Sequence, residues 1–191
     1  MTGRRWKRSS TPISRRWGWL KKSCRDVGMT VQIRLATSSD ATACAEIYAP
    51  YVTDSWVSFE IDPPNEAEMA QRIANCGASH GWLVAEIDGA IAGYAYASPH
   101  RTRVAYSTSA DVAVYISSEF ARKGIGGQLY DALFPLLKAR NIHAVFAGIA
   151  LPNEASVALH EAKGFTPVGI YREVGWKMDG WRDVGWWQRL L

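Results

Sequence analysis

The residues with the clearest chemical meaning lie between Val114 and Leu129. A strand-like run through Val114-Tyr115-Ile116 leads into Ala121-Arg122-Lys123-Gly124-Ile125-Gly126-Gly127, and a helical pattern follows. Glycine lets the backbone bend and lets a ligand approach it closely. The first N–H groups of a helix lack intrahelical partners, and the helix dipole favours an anion beside them. Arg122 and Lys123 add positive charge at the same place. The chemistry implied is the binding of a phosphate or pyrophosphate. The segment is not a GxxxxGK[ST] loop. It is not a dinucleotide fingerprint either, because GxGxxG is incomplete and the unit is not the first strand–helix–strand of the chain.

The other reactive residue types say less. Cys24, Cys44 and Cys76 stand far apart with no CxxC pair. They give neither a disulfide framework nor a zinc signature, so no metal is expected. A reducing cytoplasm is the default setting, and Cys44 and Cys76 read as small buried apolar residues. His80, His100 and His143 fall in loop-like contexts and receive no role.

Positioning the phosphate loop takes a series of alternating elements. Val31–Leu35 reads as a strand, and Ser38-Ser39-Asp40 offers caps for a helix from about Asp40 to Tyr51. Asn65 with Glu68 forms a capping box that opens a helix to about Asn75. Trp82–Ile87 and Ala90–Ser98 are strands joined by Asp88-Gly89, a type I′ hairpin signal. Asp111–Ile116 alternates as a strand, and the phosphate loop opens a helix to about Arg140. Ala144–Ala150 is a buried strand. Asn153 caps a helix that stops at Lys163-Gly164. Phe165–Tyr171 is a strand, and Asp179-Gly180 turns a last hairpin with arms Val174–Met178 and Asp183–Leu190. Hairpins mixed with strand–helix crossovers predict an α/β (α+β) fold around a mixed sheet.

The net charge of +4 hides an asymmetry. Residues 1–28 hold nine bases and one acid, whereas residues 29–191 hold 13 bases and 17 acids. The body is mildly acidic, so a nucleic-acid partner is not expected. The basic extension 1–28 has no apolar period and no apolar h-region of a secretory signal. It reads as disordered, with Met29 as a natural start and 29–191 as one domain. Among the apolar runs, Ala144–Leu151 is the longest, far below the roughly 18–20 residues of a membrane helix, and no membrane span is expected.

The phosphate loop resembles the acyl-CoA pyrophosphate loop of the GNAT superfamily of acetyltransferases, written [QR]xxGxG[AG]. Ala121 departs at the first position, where Gln or Arg is usual. The segment Asn153–Phe165 resembles the superfamily's helix after the fifth strand. Further stretches are similar to the phosphinothricin and methionine sulfoximine N-acetyltransferases. They include Phe59-Glu60, Gly93–Ala97, Ala105-Tyr106, Leu159-His160-Glu161-Ala162 and Trp181–Gln188. The likeness covers essentially all of residues 31–190.

The resemblance implies a GNAT acyl-CoA N-acyltransferase fold, with a mixed sheet of about seven strands flanked by helices. It implies acetyl-CoA as cosubstrate, a small amino acid analogue as acceptor, and a homodimer. The backbone of Val114 and Ile116, the Tyr115 hydroxyl, and Asn153 would serve the pantetheine arm and thioester. The cradle Arg122, Lys123, Gly124, Ile125, Gly126 and Gly127 would take the pyrophosphate. By the resemblance, Asp111 matches the family's general-base Glu, one methylene shorter, so that an ordered water would extend its reach. An amine near pH 7 is mostly ammonium, so something must accept its proton before attack. His160 would relay or donate a proton to the leaving thiolate. Arg101, Arg103 and Tyr106 would hold the substrate's anionic groups, and Phe59 and Glu60 would line its side. Two alternatives remain open at this level: acetylation of protein N-termini or another amine, and a noncatalytic acyl-CoA-binding module.

Overall fold

The computed structural model describes residues 20–23 and 30–191. In chain order the elements are β1 (Leu20–Ser23), β2 (Thr30–Leu35), α1 (Ala41–Thr53), α2 (Glu66–Ser79), β3 (Trp82–Ile87), β4 (Ala90–Pro99), β5 (Ser109–Ile116), α3 (Ile125–Ala139), β6 (Ala144–Leu151), α4 (Glu154–Ala162), β7 (Thr166–Trp176) and β8 (Trp181–Leu190). They build one mixed sheet in the order β1-β2-β3-β4-β5-β6-β8-β7. Among the described strands only β5 and β6 run parallel; every other neighbouring pair is antiparallel. Of the basic extension, Leu20–Ser23 pair antiparallel with β2 as an edge strand, and the remainder lies outside the described residues.

Strand alternation divides the core between two faces. On β3, Leu83, Ala85 and Ile87 join the cluster under α3, while Trp82 and Val84 join the cluster under α1 and α2. Successive strand side chains point to opposite faces, so one strand serves both layers. Helix α3 buries Leu129, Leu133 and Leu137 completely, at four-residue spacing along one stripe. Burial of each such leucine contributes about 1.5–3 kcal/mol. Cys44 is fully buried and Cys76 partly so.

Local signals set several boundaries. Asn65 and Glu68 form the expected capping box at α2, though α2 runs a full turn beyond Asn75. Asp88 and Gly89 both adopt positive φ in the tight β3–β4 turn. Asp40 lies ahead of α1 in a short 3₁₀ turn (Ser38–Asp40), where its carboxylate accepts from the Thr37 amide at 2.8 Å and pairs with Arg34 at 2.7 Å.

Two expectations at the C-terminal end are corrected. Phe165–Tyr171 and Val174–Met178 are not separate strands but parts of the continuous β7. The register slips between Tyr171 and Gly175, where Glu173 adopts a φ of 50°. The Asp183 carboxylate holds this bulge, accepting from the Glu173 amide at 2.8 Å and from Arg172 at 2.6 Å. The final turn sits one residue earlier than expected. Met178 and Asp179 are its central, positive-φ residues, closed by the Lys177 amide donating to the Gly180 carbonyl at 3.0 Å.

Candidate active site

The parallel pairing of β5 with β6 is short. Ser109, Ala110 and Asp111 pair with Ala144, Val145 and Phe146, and the pairing ends there. Beyond that point β5 stays with β4 to Ile116, and β6 stays with β8 to Leu151. The sheet therefore opens into a wedge whose apex is Asp111. The Ser117 amide donates to the Ala92 carbonyl and the His100 amide to the Ser109 carbonyl, at 2.9 and 3.4 Å. With period-two alternation these bonds turn the peptide groups of Val112 and Val114 away from β4; the Val112 amide serves the last β5–β6 pairing, and the Val114 peptide group faces the wedge. Ile116 faces the same way, but its carbonyl accepts the Tyr51 hydroxyl at 2.7 Å.

A cavity of about 480 Å³ lies on the wedge, lined by Asp111, Val112 and Tyr115 of β5, Gly148 and Ala150 of β6, and Val184 and Trp186 of β8. Phe59, Glu60 and Tyr48 close another side. Gly148 lets the Trp186 indole lie against the β6 backbone, since an added Cβ would meet the ring at 3.2 Å. The Tyr115 ring packs edge-on against Tyr48 and Tyr51, at 4.8 and 5.1 Å. Burial pushes its hydroxyl well above the usual tyrosine range, so it remains a hydrogen-bond donor at neutral pH.

The glycine-rich loop delivers the chain to the N-terminus of α3. Gly124 is the N-cap at φ 75°, a left-handed conformation that costs other residues about 1–2 kcal/mol. The first bond back into the loop comes from Gln128 to the Gly124 carbonyl. The amides of Ile125, Gly126 and Gly127 are thus the orphan donors of a 15-residue helix. Arg122 is exposed beside them at φ 62°. Lys123 lies over the Phe120 ring at 4.9 Å. Side chains larger than glycine would press Leu159 at position 126 and Lys163 at position 127. Asn153 caps α4, accepting from the Ser156 amide at 3.1 Å.

The two expected proton carriers part company. Asp111 lines the cavity with its side chain 31% exposed. Burial raises its pKa above the ordinary carboxylate value, while a hydrogen bond from His100 and the charges of His100 and Arg101 pull the other way. His160 is not brought to the cavity and is 3% exposed. Its Nδ1–H donates to the Ser156 carbonyl at 2.7 Å, which leaves Nε2 to accept from the Tyr130 hydroxyl at 2.9 Å. Burial lowers its pKa, so it stays neutral. With both ring nitrogens engaged, His160 has no atom left for a leaving thiolate. It is a satisfied core histidine on the buried face of α4.

Phe59 and Glu60 line the cavity opposite β5 and β6. The Glu60 carboxylate is already engaged: Arg72 grips it bidentately at 2.7 and 2.9 Å and Tyr48 donates to it at 2.9 Å. Arg72 foremost holds its pKa below the ordinary value, so Glu60 is an ionised, internally compensated wall. Arg101 reaches toward the Trp186 ring at 6.0 Å and donates to the His100 carbonyl at 2.8 Å. Arg103 is exposed before a short 3₁₀ turn (Val104–Tyr106), and Tyr106 is partly exposed at its end. None of the three lines the cavity; Arg101 approaches it through Trp186 and Tyr106 through His100, while Arg103 is not brought to it. Sequence reasoning missed His100 and Lys177. Lys177 is 7% exposed, and its Nζ donates to the carbonyls of Val52 at 2.6 Å, Ser58 at 2.9 Å and Glu60. Among the described residues, no group of three or more His, Cys, Asp or Glu is placed to hold a metal.

Residues 33–186 match the family described as "Acetyltransferase (GNAT) domain". The chain belongs to this family. The GNAT fold and acetyltransferase activity accord with the wedge and the anion cradle. Phosphinothricin N-acetyltransferase of Streptomyces viridochromogenes is 41% identical over 159 residues, 83% of this chain and 87% of that protein. The L-methionine sulfoximine/L-methionine sulfone acetyltransferase of Salmonella typhimurium is 30% identical over 83% of this chain and 94% of its own length. A phosphinothricin acetyltransferase from Sinorhizobium meliloti, solved with acetyl-CoA, superposes with a TM-score of 0.81 at 35% identity, covering 84% of this chain and 88% of that one.

Proposed function

We propose that this GNAT enzyme transfers the acetyl group of acetyl-CoA to the α-amine of a small amino acid analogue of the phosphinothricin, methionine sulfoximine or methionine sulfone type. The observation that carries the reading is the placement of Asp111 at the apex of the wedge. Its carboxylate faces the cavity, beside the opening of the sheet. The amides of Ile125, Gly126 and Gly127 suit the pyrophosphate, and Arg122 and Lys123 add charge. The peptide group of Val114 suits the amide-bearing pantetheine arm. Val114 and Tyr115 also suit a donor role toward the thioester carbonyl. Asp111 accepts the ammonium proton, the freed amine attacks the carbonyl carbon, and the carbon–sulfur bond breaks as the thiolate takes the second nitrogen proton and leaves as the coenzyme A thiol.

Neither Cys44 nor Cys76 lines this cavity, which supports direct attack in a ternary complex. Arg101 beside Trp186 and Tyr106 beside His100 favour an acceptor carrying a carboxylate and a second anionic or strongly polar group. The described helices include none long and apolar enough to cross a membrane, and a cytoplasmic setting is part of the proposal. So is a homodimer. Ile170, Val174, Trp176 and Trp181 leave 45–58% of their surface exposed on the outer hairpin, an apolar patch suited to a second copy.

The test is purified protein with acetyl-CoA against phosphinothricin, methionine sulfoximine, methionine sulfone and a peptide with a free N-terminus. Acetylation of the amino acid analogues by a species of twice the chain mass in light scattering is the expected result. Preference for the peptide favours the protein N-terminal alternative. Acetyl-CoA binding without turnover of any of them overturns catalysis.

A further inference from the structure

His100 follows the last residue of β4, and its backbone pairs with Ser109. Asp111 pairs with Ser98, so His100 and Asp111 are diagonal neighbours on one face of the β4–β5 ladder. The Asp111 Oδ1 accepts from the His100 Nδ1 at 2.6 Å, a short charge-assisted bond. The imidazole is held from its other sides. It stacks on Phe146 at 4.2 Å and 15°, and meets Tyr106 and Trp186 edge-on at 6.1 Å. Its side chain is 12% exposed. Asp111 lines the cavity and His100 does not, so the histidine stands behind the carboxylate.

We infer that His100 is a positioning residue for the acetyl transfer: it pins Oδ1 of Asp111 so that Oδ2 presents its lone pairs to the acceptor amine. The inference rests on the reading of Asp111 as proton acceptor. An aspartate with one free torsion beyond Cβ would otherwise rotate either oxygen toward the cavity. Bonding to Nδ1–H fixes that rotation, and the aromatic sandwich fixes the imidazole. The same bond favours the ionised carboxylate against the burial that disfavours it. The other ionisable groups around Asp111 are Arg101, Glu60 across the cavity, and the Tyr106 and Tyr115 hydroxyls.

Two substitutions separate positioning from packing. His100→Phe keeps the ring and the stack on Phe146 but removes the donor. His100→Asn removes the ring but leaves an amide nitrogen on Cγ, where Nδ1 is attached. The phenylalanine variant is expected to lose roughly ten- to hundred-fold in kcat, as for a charge-assisted hydrogen bond, with KM for acetyl-CoA unchanged. Its acid limb of kcat/KM should move to higher pH. The asparagine variant should recover most of the rate and the position of the limb. His100→Gln, with its amide one bond further out, stands in if the phenylalanine variant does not fold, and should behave like it. Wild-type kcat in His100→Phe, or equal damage in His100→Asn and His100→Phe, overturns the inference. Asp111→Asn measured alongside keeps the two readings apart. If it loses turnover while His100→Phe does not, only the role of His100 fails. If Asp111→Asn turns over normally, the proton-acceptor reading itself fails.

Discussion

Asp111→Asn is expected to lower kcat by roughly 10²–10⁴-fold, the range for loss of a general base, while acetyl-CoA affinity stays near wild type. The amide keeps the size of the carboxylate and still offers an oxygen to His100, so the fold has no reason to change. What is lost is the capacity to take a proton. Burial raises the Asp111 pKa, so wild-type activity should fall as pH drops through a value above the ordinary carboxylate range, because protonated Asp111 accepts nothing. The variant should lack that limb and regain rate as pH rises, since more of the amine is then already deprotonated. Steady-state kinetics from acid to alkaline pH read both effects. Wild-type turnover by Asp111→Asn at pH 7 would sink the assignment and leave solvent as the acceptor.

The second large effect is structural. Lys177→Met should lower the melting temperature and raise KM for the amine more than KM for acetyl-CoA. Lys177 sits at the tip of the β7–β8 hairpin and holds three carbonyls that run from the end of α1 through the loop bearing Phe59 and Glu60. Methionine fills much of the volume but donates nothing. Each buried acceptor left without a partner costs about 1–3 kcal/mol, so a total of about 3 kcal/mol is expected, or roughly 6–12 °C in a chain of this size. Phe59 packs on Gly175 of the same hairpin, so the loop would lose its tether while keeping its apolar contact. Scanning calorimetry and kinetics with each substrate varied test this. A melting temperature unchanged from wild type contradicts it.

Legibility in the sequence followed contact range. The glycine turn into α3 was readable because Gly124, Gly126 and Gly127 act within one turn of one helix. Asn65 with Glu68, and Asp88 with Gly89, are equally local. The wedge was not readable, because it depends on where β5 and β6, strands some thirty residues apart, stop pairing. Lys177 meets carbonyls 117–125 residues away, and no local pattern marks it. His100 looked like a loop residue because its partner Asp111 lies across an irregular connection. His160 carried a resemblance-based role, yet its fate is set by Tyr130 on another helix and by the carbonyl one turn behind it. The split of β7 into two predicted strands came from the irregular stretch around Glu173, where a carboxylate from β8 holds a bulge in place of a loop.

The short seam between β5 and β6 also bears on how the molecule holds together. Three residue pairs join a five-stranded plate to a three-stranded plate. Past that seam the two plates share no ladder. An amide-bearing arm lying in the gap would act as a missing rung, cross-linking plates that the polypeptide itself leaves apart. Binding energy released there adds to the cohesion of the whole sheet through mass action. A cosubstrate held there would brace the sheet as well as donate its acetyl group.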